Sequence, residues 1–245
     1  MWPAYDASTV HSIFNSALVA HVSFVPDPEN PVPVVLPMIA RIGQYPGDSE
    51  PHAYIHGYVT IRLLKQPAGS GDGFPVCICA TKVDGLILAL APFDHSYQYR
   101  SAVLHGKAKL VDPETEENVW AMKLITDGVC PDRWDNSRNP PESSEITSTR
   151  ILKVRIDSAS AKINDGGVKS SKKDLSNPEV ADRVWTGIIP VYEVLGKPVS
   201  AETNKVPDVP AYIENYRKDF NQRAERGEGE NKSQGLLGRL TGGFW

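Results

Sequence analysis

At 245 residues, with a formal charge of −4 and a pI near 5.9, the chain offers no bulk positive field, which argues against nucleic acid or an anionic membrane as a purely electrostatic partner. Its length suits one good core with a small appendage, and no apolar run approaches the roughly 18 residues of a membrane span. The N-terminus lacks the basic-then-apolar order of a secretory signal, and three cysteines are an odd set, so the expectation is a reduced, cytoplasmic protein.

In chain order, Asp6 is a natural N-cap for a first helix whose Val10, Ile13, Phe14, Ala17 and Leu18 recur at helical spacing. His21 to Val25 alternates as a strand, 26–30 is turn-rich, and Val32 to Ile39 resumes as a second strand. Ala53 to Tyr58 is a third. Val76 to Lys82 and Leu86 to Ala91 are expected to flank a tight turn at Val83-Asp84-Gly85. Cys77 and Cys79 are expected on opposite faces of their strand and so not to chelate together. Another strand runs from Ser101 to Val111, and Asp112-Pro113-Glu114 opens a helix reaching about Thr126. Asp132 to Ser144 reads as a loop, and Ile151 to Ile156 as the last clear strand. Beyond about 200 lies a polar C-terminal extension, 201–245, in which Asp219 to Gln234 is a solvated helix or disorder. The pattern is mainly β with peripheral helices, fitting a closed or nearly closed antiparallel barrel. The residues 1–200 form its one domain.

The most suggestive stretch runs from Ala53 to Ser101. A strand ending in His56-Gly57 passes through Thr60 and Arg62 into an expected short helix with Lys65, and a hydroxyl and an arginine at a helix start suit a phosphate. The same residues also read as an ordinary cap and a solvated helix face. His56 and His95 have no third ligand at a recognisable spacing, so no metal site is expected. Gly69-Ser70-Gly71-Asp72-Gly73 lacks the lysine and hydroxyl of a phosphate loop, and His95-Ser96 lacks a nucleophile elbow. Tyr99 reads as core or cofactor contact, Lys162 as exposed or reaching a ligand, and Trp185 as a core or dimer anchor or a ring-stacking residue.

Ile55-His56-Gly57 through Lys65, Asp84 to Ala89, His95 to Ser101, Ser160-Ala161-Lys162 and Trp185 to Pro190 together resemble, in matching order, the pyridoxamine 5′-phosphate oxidase-like flavin-binding split barrels, in the branch that includes 5-nitroimidazole resistance reductases. The resemblance spans about residues 5 to 195. It implies a six-stranded split β-barrel, a homodimer, and FMN at the subunit interface. By it, Thr60 and Arg62 match phosphate-binding positions with Lys65 beside them. His56 and Gly57 match the strand end beside the ribityl chain, and Tyr99, Arg100 and Ser101 a strand facing the flavin from the other side, with Trp185 in the wall. Ile61, Leu90, Ala91, Asp94 and Gln98 depart from the usual polar pattern. The implied activity is transfer of reducing equivalents from NAD(P)H through FMN to a small organic acceptor such as a nitro compound or quinone. No catalytic residue stands out. The alternatives are a flavin-binding carrier or sensor without turnover, or a haem-binding relative with His56 or His95 as axial ligand.

Overall fold

The computed structural model describes residues 6–58, 63 and 72–225. Eight strands lie in one antiparallel sheet: β1 (Ala20–Phe24), β2 (Val34–Met38), β3 (Ala40–Gly43), β4 (His52–Tyr58), β5 (Phe74–Leu88), β6 (Ser96–Leu110), β7 (Thr149–Asn164) and β8 (Gly187–Pro190). The order is β2-β1-β5-β6-β7-β4-β3, and β8 pairs with β5 off this path. The two end strands of the path are halves of one run, separated by Ile39 alone: β2 pairs with β1, β3 with β4. The run bends at Ile39, and since no ladder among the described residues joins β2 to β3, the sheet is not closed there. Counting the bent run once and setting β8 aside leaves the six strands the resemblance implies.

The interior follows from strand alternation. Ala20, Ala80, Ala102 and Ala161 stand in register across β1, β5, β6 and β7, all buried. These small side chains leave room in the core for helix α1 (Ala7–Ser16), which packs on β3, β5, β6 and β7. Asp6 caps it as expected, its carboxylate accepting from the Thr9 N–H at 2.9 Å. Val10, Ile13 and Phe14 are its buried side; burying a phenylalanine is worth about 1.5–3 kcal/mol. Leu18, expected with them, lies outside the helix and is exposed.

Helix α2 (Glu116–Val129) covers the outside of β4 and β7, burying Ala121 and Ile125 with Tyr54, Val111 and Ile151. It begins four residues after Asp112. That carboxylate accepts from the Glu114 N–H at 3.0 Å, making the turn that leads to Thr115 as N-cap. Tyr54 donates to Glu117 at 2.8 Å, and Lys153 reaches both Glu117 (2.7 Å) and Asp48 (2.8 Å), joining α2 to the sheet. Arg41, only 5% exposed, donates to the carbonyls of Ala17 (3.1 Å), Ala40 (2.9 Å) and Gly128 (2.5 Å), so one side chain ties the ends of α1 and α2 to β3.

Three expectations need correction. The Asp84-Gly85 pair makes no turn: β5 runs unbroken through it as a β-bulge. The chain reverses instead at the 3-10 turn Pro92–Asp94. Cys77 and Cys79, two apart on β5, share its outer face, since alternation returns a side chain to the same side at every second residue. The strand expected over 151–156 runs the full length of β7, with a second bulge where Gly106 faces Ile156 and His105 faces Ser158. The loop expected over 132–144 leads into a short helix, α3 (Ser143–Ser148), and two more, α4 (Lys172–Leu175) and α5 (Pro178–Ala181), follow β7.

In the polar extension, Ala211–Glu225 form helix α6. It packs back on the body. Lys82 pairs with Glu193 at 2.5 Å, donates to the Ser16 carbonyl at 3.1 Å and lies 5.9 Å from the Phe220 ring centroid. Asn221 both accepts from and donates to the Leu195 backbone, at 2.7 and 3.0 Å. Among the described residues no helix is long and apolar enough to cross a membrane.

The β6–β7 bulge depends on a missing side chain, because a Cβ on Gly106 would lie 1.9 Å from the Arg155 carbonyl oxygen. Gly106→Ala is expected to cost about 2–3 kcal/mol. Urea denaturation of the variant beside the parent checks this, and equal midpoints would contradict it.

Candidate functional site

At the end of β4, register places His56 opposite Ile151 and Gly57 opposite Arg150 on β7. There the bent run comes close, and an open recess of about 540 Å³ is lined by Leu36, Pro37, Met38, Ile39, His56, Gly57 and Thr149. Among the described residues, His56 Nδ1 is buried without a hydrogen-bond partner. Burial pushes the His56 pKa below the ordinary histidine value, so the imidazole is held neutral in an apolar wall. Thr60, Arg62 and Lys65 follow Gly57 in sequence and lie outside the described residues.

The other expected contacts gather where β5 has passed the end of β1, with Tyr99 opposite Val83 and Ser101 opposite Thr81, and β8 joins β5 just beyond. Tyr99 and Ser101 point to the outer face of β6, and Arg100 to the other. The Arg100 guanidinium grips Asp84 with two bonds, Nε to Oδ2 at 2.8 Å and Nη2 to Oδ1 at 2.7 Å, the fork geometry that a carboxylate matches. Lys162 is the register partner of Ser101, and its Nζ stands 5.6 Å from the Tyr99 ring centroid. Tyr99 holds the Lys162 ammonium above its usual pKa. Trp185 is 64% exposed, its ring lying where a Cβ on Gly187 would collide with it. Phe93, at the tip, is 94% exposed. His95 Nδ1 lies 2.9 Å from the Ala91 carbonyl on its own turn.

The structure thus gathers His56 with Gly57, and Tyr99, Ser101 and Lys162 with Arg100 behind them and Trp185 at the same end. It does not bring the two groups together. Gly57 pairs near the start of β7, at Arg150, and Ser101 near its end, at Lys162. Twelve residues of strand, at about 3.3 Å each, put roughly 40 Å of contour between them.

Sequence reasoning missed the Asp84 partner of Arg100, whose signal was an acid beside a glycine inside an alternating run. It also missed the wall from Leu36 to Ile39, which only the bend brings to His56. Among the described residues, no group of three or more His, Cys, Asp and Glu side chains could hold a metal ion.

The family model described as pyridoxamine 5′-phosphate oxidase matches residues 6–163. A comparison with curated proteins returns no match. Among solved structures, the FAD and haem binding protein from Mycobacterium smegmatis superposes with a TM-score of 0.71 at 23% identity, covering 86% of this chain and 95% of its own. The flavocytochrome Anf3 from Azotobacter vinelandii gives 0.69 at 28% identity, covering 87% and 91%.

His56 and His11 both have pKa values lowered by burial, so the unfolded chain binds protons at these sites more readily than the folded one. Their contribution to stability is full above the unfolded value of about 6.5 and falls as the pH drops below it. Melting temperature measured between pH 7.5 and 5.5 is expected to fall. Replacing His56 by glutamine should flatten that fall, and an unchanged slope would argue against a neutral buried imidazole.

Proposed function

Because the chain belongs to the pyridoxamine 5′-phosphate oxidase family, we propose that it is a flavin-binding split-barrel protein that works as a homodimer, with FMN shared between two copies. The separation of the two residue groups along β7 carries this reading: one flavin reaches both only if each comes from a different chain. In the proposed site, Thr60, Arg62 and Lys65 of one copy hold the phosphate, with His56 and Gly57 beside the ribityl chain. The other copy presents Tyr99, Ser101 and Trp185 toward the ring.

The residues present fit such a group. The half-buried Tyr99 and the exposed Trp185 offer apolar surface toward a flat ring, and an arginine fork suits phosphate oxygens. The likeness to a flavocytochrome at 28% identity supports a flavin. When bound, the flavin supplies the electron transfer, from a nicotinamide nucleotide to a small organic acceptor. The protein's part is to fix the phosphate, orient the ring and leave one face open. Arg100, gripped by Asp84, serves this by holding β6 against β5.

A second reading is haem bound in the recess, where His56 would hold the iron. The unpartnered, neutral imidazole among Leu36, Met38 and Ile39 favours it, as do the haem-binding relatives; His95, hydrogen-bonded within its own turn and exposed, is the poorer candidate of the two.

Absorbance of the purified protein separates the readings: two broad flavin bands against a sharp Soret peak. Titration of the cofactor-free protein with FMN, and with FAD beside it, should show saturable binding, weakened at least about tenfold in Arg62→Ala. Sedimentation should give a dimer. A monomer that binds flavin fully would contradict the shared site, and a protein that refuses flavin and haem would overturn both readings. Loaded protein that stays oxidised with NADH and NADPH under anaerobic conditions would be a carrier or sensor.

A further inference from the structure

We propose that Tyr99, Lys162 and Ser101 form a proton-donating, oxyanion-accepting site for a conjugated carbonyl acceptor of the quinone class. The inference rests on the flavin reading above, which supplies the hydride. All three side chains share the outer face of β6 and β7. Tyr99 and Ser101 are two apart on β6 and so point the same way. Lys162 faces Ser101 in register and approaches the Tyr99 ring at 5.6 Å.

The strands that carry the cluster are pinned around it. Asn164, opposite Tyr99, donates to the Tyr97 carbonyl at 2.7 Å, and Gln98 donates to the carbonyls of Asp165 and Gly166 at 3.3 and 3.1 Å. Arg100, between Tyr99 and Ser101 in sequence, is turned to the other face and gripped by Asp84. Lys162 makes no ion pair among the described residues, so its charge stays available beside the two hydroxyls. Val83, the register partner of Tyr99 on β5 and 42% exposed, gives a flat acceptor an apolar seat next to them.

Two-electron reduction of a quinone places negative charge on a carbonyl oxygen. A positioned O–H donor and a cation stabilise that charge where it develops. A bound reduced flavin would supply the hydride, with its electron pair, to the quinone's far carbonyl oxygen. The Tyr99 O–H bond breaks, its proton joins the carbonyl oxygen, and its electron pair stays on the phenolate, held by the Lys162 ammonium until water returns a proton. Ser101, whose hydroxyl donates to the Lys162 carbonyl at 3.4 Å in the structure, turns from that long bond to donate to the same oxygen. One hydride and one proton turn the quinone into the hydroquinone, and the flavin is left oxidised.

Two measurements test the site. The flavin-free protein is titrated with 2-hydroxy-1,4-naphthoquinone, a conjugated carbonyl whose charge sits on oxygen, followed by its own visible absorbance. Lys162→Met should weaken binding about tenfold and Lys162→Arg restore most of it, a pattern that loss of packing alone would not give. In the flavin-loaded dimer, reduced anaerobically and mixed with menadione, Tyr99→Phe should slow flavin reoxidation about 100-fold. Equal naphthoquinone affinity in Lys162→Met, or reoxidation of Tyr99→Phe at the parent rate, overturns the proposal. A protein that takes up no flavin overturns the flavin reading and this catalytic role together; normal flavin uptake with either of those two results overturns this site alone.

Discussion

The bulge at Asp84 decides the layout of the molecule. An extra residue in β5, with its carboxylate locked to Arg100 on β6, bends the hairpin where it leaves the barrel. Before the bulge β5 pairs with β1, and after it with β8, so the same strand belongs first to the barrel and then to a three-stranded projection. Gly85 permits the change of neighbour, since a Cβ there would lie 2.9 Å from Gln98 Oε1 and 3.0 Å from the Ile188 side chain. The projection carries Trp185 and Phe93 away from the barrel, and Tyr99 and Ser101 stand on β6 just before it.

The barrel itself is held by parts distant in sequence. A bent run serves two neighbours, a row of alanines seats α1, and Arg41 joins three carbonyls across the ends of α1, β3 and α2. Burial lowers the pKa of Arg41, which has carbonyls and no acid among its hydrogen-bond partners here. Its value is therefore in satisfying carbonyl groups that would otherwise be buried unpaired, a cost of about 1–3 kcal/mol each. Gly128 is part of the same joint: a Cβ there would lie 2.2 Å from Arg41 Nε. Lys82 does a similar task for the tail, linking the β5 strand to α1, Glu193 and α6.

Much of this was legible in the residues, for physical reasons. The Asp6 cap and the apolar spacing of Val10, Ile13 and Phe14 are local signals, and they place the start of α1, which ends at Ser16, before Leu18. Alternating runs locate β1 and β4, and their order with the later motifs points to the family. Asp84-Gly85 misled because turn chemistry and bulge chemistry use the same two residues, and only the Arg100 partner on another strand separates them. The length of β7 was hidden because Ser158, Ser160 and Lys162 are polar on a face that the strand leaves exposed. The recess at His56 could not be read at all, since its wall comes from a bend nearly twenty residues earlier. The expected phosphate contacts Thr60, Arg62 and Lys65 lie outside the described residues, so that half of the reading still stands on sequence alone.

The distance along β7 has a genetic consequence. On the shared-site reading, a chain damaged at Arg62 and a chain damaged at Tyr99 each build only defective pairs by themselves. Mixed pairs differ, because both lesions fall into one of the two sites and leave the other whole. Co-expressing two inactive alleles would then recover up to half the function of each mixed pair, an interallelic complementation that a site confined to one chain does not allow.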